Sequence, residues 1–307
     1  MKRKLVKQGG SALTISLPKS WVNKYGLKAG DGISVKECGR ELSIVTERGE
    51  EEGRSIALEA SQINKRTLKW TLSGLHKGGY DVINIAFDNS DSMKVINNLV
   101  KDLFIGFVVV EQSNKGCVLR NISKDSKSDF DNLLKKAFSV TISMGESVLK
   151  AINDGRINDL TNLLSLEQTN NQITNVCERL LNKKGFKDYR KTCFMYVITW
   201  NLEKICNNYK YICNFLMDNK ETALNKDVIN FYNNTNNLMV KFYEIFYNFN
   251  VNKLDDWNDK RKELIKEGHN LIKKETGTES IVISYLQNII YQLADFSTST
   301  IAINQEY

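Results

Sequence analysis

The sequence predicts an α+β protein of several domains, and three observations lead there. Short alternating apolar stretches broken by glycine turns fill residues 1–47. Strand and helix patterns alternate over residues 54–123, and from 126 to 307 apolar residues recur at helical spacing with brief interruptions.

In the head, Leu13, Ile15 and Leu17 alternate with Thr14 and Ser16, the period of a half-buried strand. Gly9-Gly10 before them supplies the positive φ of a hairpin turn. Pro18 ends the strand and opens a short helix through about Tyr25, with Gly26 as its stop. After a turn at Gly30-Asp31, Ile33 and Val35, then Leu42 and Ile44, alternate on either side of Gly39-Arg40 as a second hairpin. About 46 residues of this kind bury little surface alone. With no zinc or disulfide motif, the expected staple is a second copy of the chain, an interleaved homodimer.

Glu47–Arg54 reads as a charged linker. Beyond it come a strand at 56–58, a helix at 61–76, a strand at 80–87, a helix at 91–102 and a hairpin of 106–111 with 116–122. That order predicts a small α/β layer domain with nothing catalytic in it. Gly78-Gly79 is a turn, since no phosphate-loop pattern surrounds it.

Six helices are expected in the tail, at 128–153, 158–184, 187–219, 223–248, 253–275 and 279–304. Breaks fall at Gly155, Gly185, about Lys220, Asn250–Asn252 and Gly277. In the third, Ile198, Leu202, Ile205, Tyr209, Ile212 and Leu216 form a continuous stripe, and the sixth repeats it from Val282 to Ile303. Three plus three helices suggest a duplicated unit.

The charge is uneven. Lys2, Arg3, Lys4, Lys7, Lys19, Lys24 and Lys28 lie in residues 1–30 with no acid, while the rest of the chain balances 36 basic against 36 acidic residues. The entire formal excess of +7 therefore sits in the head. A two-fold dimer would double it to about fourteen charges, a surface suited to DNA phosphates.

Other classes are set aside. No stretch approaches the roughly 18 apolar residues of a membrane span, and the basic N-terminus lacks the apolar core of a signal peptide. The cysteines at 38, 117, 177, 193, 206 and 213 show no CxxC, which fits a reducing cytoplasm. With only His76 and His269, a Ser-His-Asp triad or a His-rich metal site is poorly supported, and both are expected as ordinary helix residues. Cys206 and Cys213, seven apart, are expected as small core residues.

The head VKQGGSALTISLPKSWVNKYGLKAGDGISV resembles the SpoVT-AbrB swapped-hairpin DNA-binding domain over about residues 2–47. The marks are the strand ending Leu17-Pro18-Lys19, the short helix, then Gly26-Leu27 and Lys28-Ala29-Gly30-Asp31. The resemblance implies an intertwined dimeric β-barrel that binds double-stranded DNA. Lys2, Arg3, Lys4, Lys7, Ser11, Lys19 and Lys24 are the candidate contacts, with Ser11-Ala12 standing where many members carry a basic residue.

The tail, about residues 128–305, is similar to PhoU, the phosphate-uptake regulator with two three-helix repeats. Leu202-Glu203-Lys204-Ile205-Cys206-Asn207 resembles that family's LERIxD signature, and Tyr291-Gln292-Leu293-Ala294-Asp295 falls at the equivalent place in the second repeat. Some members bind multinuclear iron or zinc through ExxxD pairs. Here Asn207 replaces the first Asp and Tyr291 the second Glu, and Glu167 with Asn171 is half an acid pair. Glu203 and Asp295 remain as the candidate ligands of a divalent iron or zinc, with binding expected to be weak or lost and the two carboxylates expected on solvated helix edges. No cofactor is required. The fusion of such a head, an α/β middle and such a tail resembles an archaeal arrangement.

The expectation is a cytoplasmic, homodimeric, non-enzymatic regulator of phosphate-uptake genes. Two other classes compete. One is an adaptor that acts on a phosphate transporter or signalling protein by contact, its head serving to dimerise. The other is a metal-dependent enzyme, disfavoured because neither acid motif is intact.

Overall fold

A computed structural model describes residues 2–10, 12–38, 41–46, 53–123, 130–219 and 223–305. Ser11, the Gly39-Arg40 turn, residues 47–52 of the linker, positions 128–129 of the first tail helix and the break at Lys220 lie outside the described residues. The chain divides into two compact units, Met1–Arg54 and Ser55–Tyr307.

In the first unit, β1 (Val6–Gln8) and β2 (Ala12–Thr14) form one antiparallel hairpin, and β3 (Ile33–Cys38) and β4 (Glu41–Thr46) form another. Gly9 takes φ +68° in the first turn, where a side chain would strain the backbone. Pro18 stands just before the short α1 (Lys19–Lys24) with no side-chain cap, and Gly26, at φ +59°, follows its last turn. The two hairpins are separate two-stranded sheets, not a closed barrel. Among the residues of this unit whose exposure is described, which leaves out Lys36 and Cys38, none is buried. The strand expected to carry Leu13, Ile15 and Leu17 ends at Thr14, and Leu13, Ile15, Val35 and Leu42 stand in solvent, Leu42 at 67% exposure. The alternation makes an apolar face, and one copy of the head has no layer to lay over it.

In the second unit, the sheet runs in the order β5-β6-β8-β7, with β5 (Ser55–Glu59) parallel to β6 (Val82–Ala86) and the remaining pairs antiparallel. β7 is Phe107–Ser113 and β8 is Gly116–Asn121. α2 (Lys65–Lys77) and α3 (Ser90–Asp102) bury Leu68, Leu72, Ile96 and Leu99 with Ile83, Ile85 and Leu119 of the sheet. α2 begins four residues later than the pattern suggests, because Asn64 accepts the Thr67 N–H and sets the cap there.

The helices are α4 (Phe130–Asn153), α5 (Leu160–Lys184), α6 (Thr192–Asn219), α7 (Lys226–Tyr247), α8 (Val251–Lys274) and α9 (Thr278–Asn304). α6 starts at 192 and not at 187, because Asp188 caps a short 3-10 turn first. Helices α4 to α6 pack on one another, α7 to α9 do likewise, and the two triplets meet through α6 on α9 and α4 on α7. The first and third helix of each triplet thus share the long core, including every member of the α6 stripe. This core is distinct from that of the α/β layer, although both belong to one compact unit. No helix among the described residues is long and apolar enough to cross a membrane.

Candidate functional site

The basic residues of the head are placed as a solvent-facing set. Lys2, Arg3 and Lys4 precede β1, Lys7 lies on it, and Lys19 and Lys24 open and close α1. All six are exposed, and Lys28 with them. None of the seven forms an ion pair among the described residues, and Lys24 lies over the ring of Tyr25 at 5.3 Å. Ser11 lies outside the described residues.

The second candidate lies where α2 meets α5 and α6, and it begins with charges inside the core. Helix α5 carries Glu178 and Arg179 in the middle of an apolar stretch, and both are buried. Arg179 donates to the carbonyls of His76 (2.9 Å) and Tyr80 (2.8 Å) and pairs with Asp81, which also accepts from Lys183 at 2.7 Å. Burial alone would raise the Asp81 pKa, but Lys183 and Arg179 outweigh it and hold the carboxyl below its usual range. These contacts fasten the α2–β6 turn to α5. Gly79 sits in that turn at φ +84°, with a Lys183 carbon 2.5 Å from where its Cβ would lie.

One helical turn away, Lys77 Nζ lies 2.8 Å from Glu178 and 3.1 Å from Glu203. Tyr196 adds a hydrogen bond to Glu178 at 3.2 Å, and Lys204 an ion pair to Glu203 at 3.3 Å. A single ammonium shared by two carboxylates splits them. Burial raises the Glu178 pKa despite Lys77, whereas for Glu203 the two lysines outweigh burial and lower it. Lys77 itself is raised, since the two carboxylates outweigh its desolvation.

A second ammonium repeats the arrangement. Lys210 Nζ lies 2.5 Å from Glu167 and 2.7 Å from the Asn207 side-chain oxygen, and Asn171 donates to the same Glu167 oxygen at 2.6 Å. Glu167, Asn171, Glu203 and Asn207, the residues of two of the three weakened acid motifs, therefore share one wall, and each carboxylate there carries an ammonium partner. Glu203 is not on a solvated edge. Asp295 is exposed on α9, outside that wall, and Tyr291 meets His269 Nε2 at 3.0 Å. This donor set does not fit a multinuclear iron or zinc centre. A cation at Glu203 would displace Lys77, and no group of three His, Cys, Asp or Glu side chains converges among the described residues.

Facing this wall is one side of α2, with Lys65, Arg66, Lys69, Trp70 and Ser73 at helical spacing. The two walls bound an open groove of about 900 Å³. Its cations are Lys65, Arg66, Lys69, Lys77, Lys204 and Lys210, six against the three carboxylates Asp102, Glu167 and Glu203.

His76 is buried on the opposite side of α2, stacked on Phe104 at 4.5 Å, with neither ring nitrogen hydrogen-bonded. Burial, then Arg179 and Lys77, push its pKa down to about 3, so it is a neutral core residue. Cys206 and Cys213 are buried in the tail core, as their spacing predicts.

Sequence reasoning missed Lys77, Glu178, Arg179, Asp81 and Lys210. The one legible signal was the charged pair Glu178-Arg179 set between Cys177 and Leu180 in an otherwise apolar segment. No family model, no curated protein and no solved structure matches this chain.

Proposed function

We propose that the chain is a cytoplasmic, DNA-binding transcriptional regulator of phosphate uptake. Its head works as a dimer, closing into the swapped-hairpin barrel that the SpoVT-AbrB resemblance implies. Its PhoU-like tail receives a signal or docks a partner and alters the availability of the heads. The carrying observation is in the first unit. Its strands expose their apolar face, no residue there of described exposure is buried, and seven cations and no acid occupy residues 1–30. A second copy supplies the missing apolar layer and doubles the positive surface. The two interlocking helix triplets support the duplicated tail. The reading needs no metal, because Lys77 and Lys210 already neutralise Glu203 and Glu167.

The exposed apolar face also supports a second reading, an adaptor whose head only dimerises and whose tail contacts a phosphate transporter or signalling protein. Gel shifts on genomic fragments at graded salt separate the two. A regulator loses affinity steeply with salt, with a slope of about −0.9 per phosphate neutralised, and alanine at Lys4, Lys7 and Lys19 flattens that slope. A dimer that shifts no fragment even at low salt leaves the adaptor. Chromatin immunoprecipitation at high and low phosphate then tests the target, with enrichment expected at phosphate-transport promoters.

A further inference from the structure

We propose that the groove between α2 and the α5–α6 wall binds a nucleoside polyphosphate. The argument is one of unmatched groups. Lys77 and Lys210 are occupied by Glu178, Glu203 and Glu167, and Lys65 by Asp91 at 2.9 Å. Arg66 and Lys69 have no carboxylate partner among the described residues, and Lys204, on the opposing wall, shares Glu203 with Lys77. Three cations on two walls of one groove thus face solvent with little or no counter-charge, which is the arrangement a chain of phosphates satisfies.

The groove also offers what a bare anion does not use. Trp70 lines it at 64% exposure, with the Arg66 guanidinium 5.9 Å from its ring. An exposed indole beside a guanidinium is a platform for a flat aromatic ring. On the other wall, Asn175 is only 3% exposed and donates to the Asn171 carbonyl at 2.5 Å, yet its side-chain oxygen accepts nothing. The side-chain oxygen of Asn171 is likewise buried and unmatched. Both oxygens are shut off from solvent, so a ligand's polar contacts fall on the groove surface itself. Phosphates on Arg66, Lys69 and Lys204 and a base on Trp70 use the cations that lack a full counter-charge and the exposed indole, while Asp102, which also lines the groove, takes no part. A volume of about 900 Å³ accommodates a ligand of that size.

The site lies wholly in the second unit, and the proposal stands whether or not the head binds DNA. Its test uses the full chain in calorimetric titrations at low salt with ATP, GTP, adenosine and tripolyphosphate. Saturable binding of at least one nucleoside triphosphate is expected. Lys69→Glu should weaken it roughly tenfold or more, and Trp70→Ala should weaken the nucleotide but not tripolyphosphate. Both residues lie at the groove surface, so unchanged thermal melting separates lost binding from lost fold. The proposal is overturned if neither triphosphate binds, or if Lys69→Glu binds like the parent. It is equally overturned if tripolyphosphate binds as tightly as nucleotide with Trp70→Ala indifferent, which would mark a simple anion site. Preferential binding of a single-stranded oligonucleotide over mononucleotides would also overturn it.

Discussion

Lys77 Nζ lies 3.1 Å from a Glu203 carboxylate oxygen, joining α2 to α6 across 126 positions of sequence. The same ammonium also meets the fully buried side chain of Glu178. A residue of the small α/β layer therefore supplies the counter-charge for two acids of the helical bundle.

Removing that ammonium leaves two carboxylates in a largely desolvated place. Lys77→Met is expected to destabilise the second unit by about 3 kcal/mol. Adding Glu203→Gln should recover part of the loss, since the repulsion with Glu178 goes with it. Urea denaturation of the single and double variants measures both, and equal stability of parent and Lys77→Met would show that the pairing contributes nothing.

Asp81 makes a pH-dependent contribution with a definite sign. Its carboxyl is held below the usual range in the native state. Its stabilisation is complete above the ordinary carboxylate range and is lost as pH falls through the depressed native value. Asp81→Asn should therefore lower stability by about 2 kcal/mol at neutral pH, because the buried Arg179 loses its anion. The gap should narrow steadily below about pH 4, where the parent loses the same contribution. Denaturation series at several pH values check this, and a gap that widens in acid contradicts it.

Gly145 is required by a close approach and not by its backbone. A Cβ there would lie 2.7 Å from the Tyr209 ring and 2.8 Å from the Asn236 side-chain oxygen, which accepts the Tyr209 hydroxyl at 2.8 Å. Gly145→Ala is expected to cost about 2 kcal/mol through overpacking, with the Tyr209–Asn236 bond stretched or broken. Thermal melting gives the loss, and an unchanged melting temperature would mean that α4 shifts at no expense.

The head should be dimeric through its exposed apolar face. Val35→Ser together with Leu42→Ser, on the same face of the β3–β4 hairpin, is expected to shift the full chain from dimer to monomer in sedimentation analysis. A parent that already sediments as a monomer at micromolar concentration removes the basis for a barrel shared by two copies.

Local signals carried most of the fold. Tail helices break where glycine takes positive φ, at Gly155 and Gly185 after α4 and α5 and at Gly277 before α9, and these are visible as interruptions of a helical period. Strand and helix order in the α/β layer was readable from alternation alone. α2 and α6 start later than the apolar pattern implies, because side-chain caps at Asn64 and Asp188 outweigh it. The acid positions Glu167 and Glu203 were legible as halves of a motif. Their partners were not, since a lysine 126 residues away leaves no periodic trace.

Three kinds of region, the boundaries of most elements and the confinement of the net charge to the head are legible in the residues alone, because these depend on neighbours along the chain. Folding adds that the α/β layer and the bundle form one unit, that Glu203 faces an ammonium and not water, and that α2 and the α5–α6 wall enclose a cationic groove. Charge pairing and desolvation depend on what folding brings within a few ångströms, and separation in sequence says little about that distance.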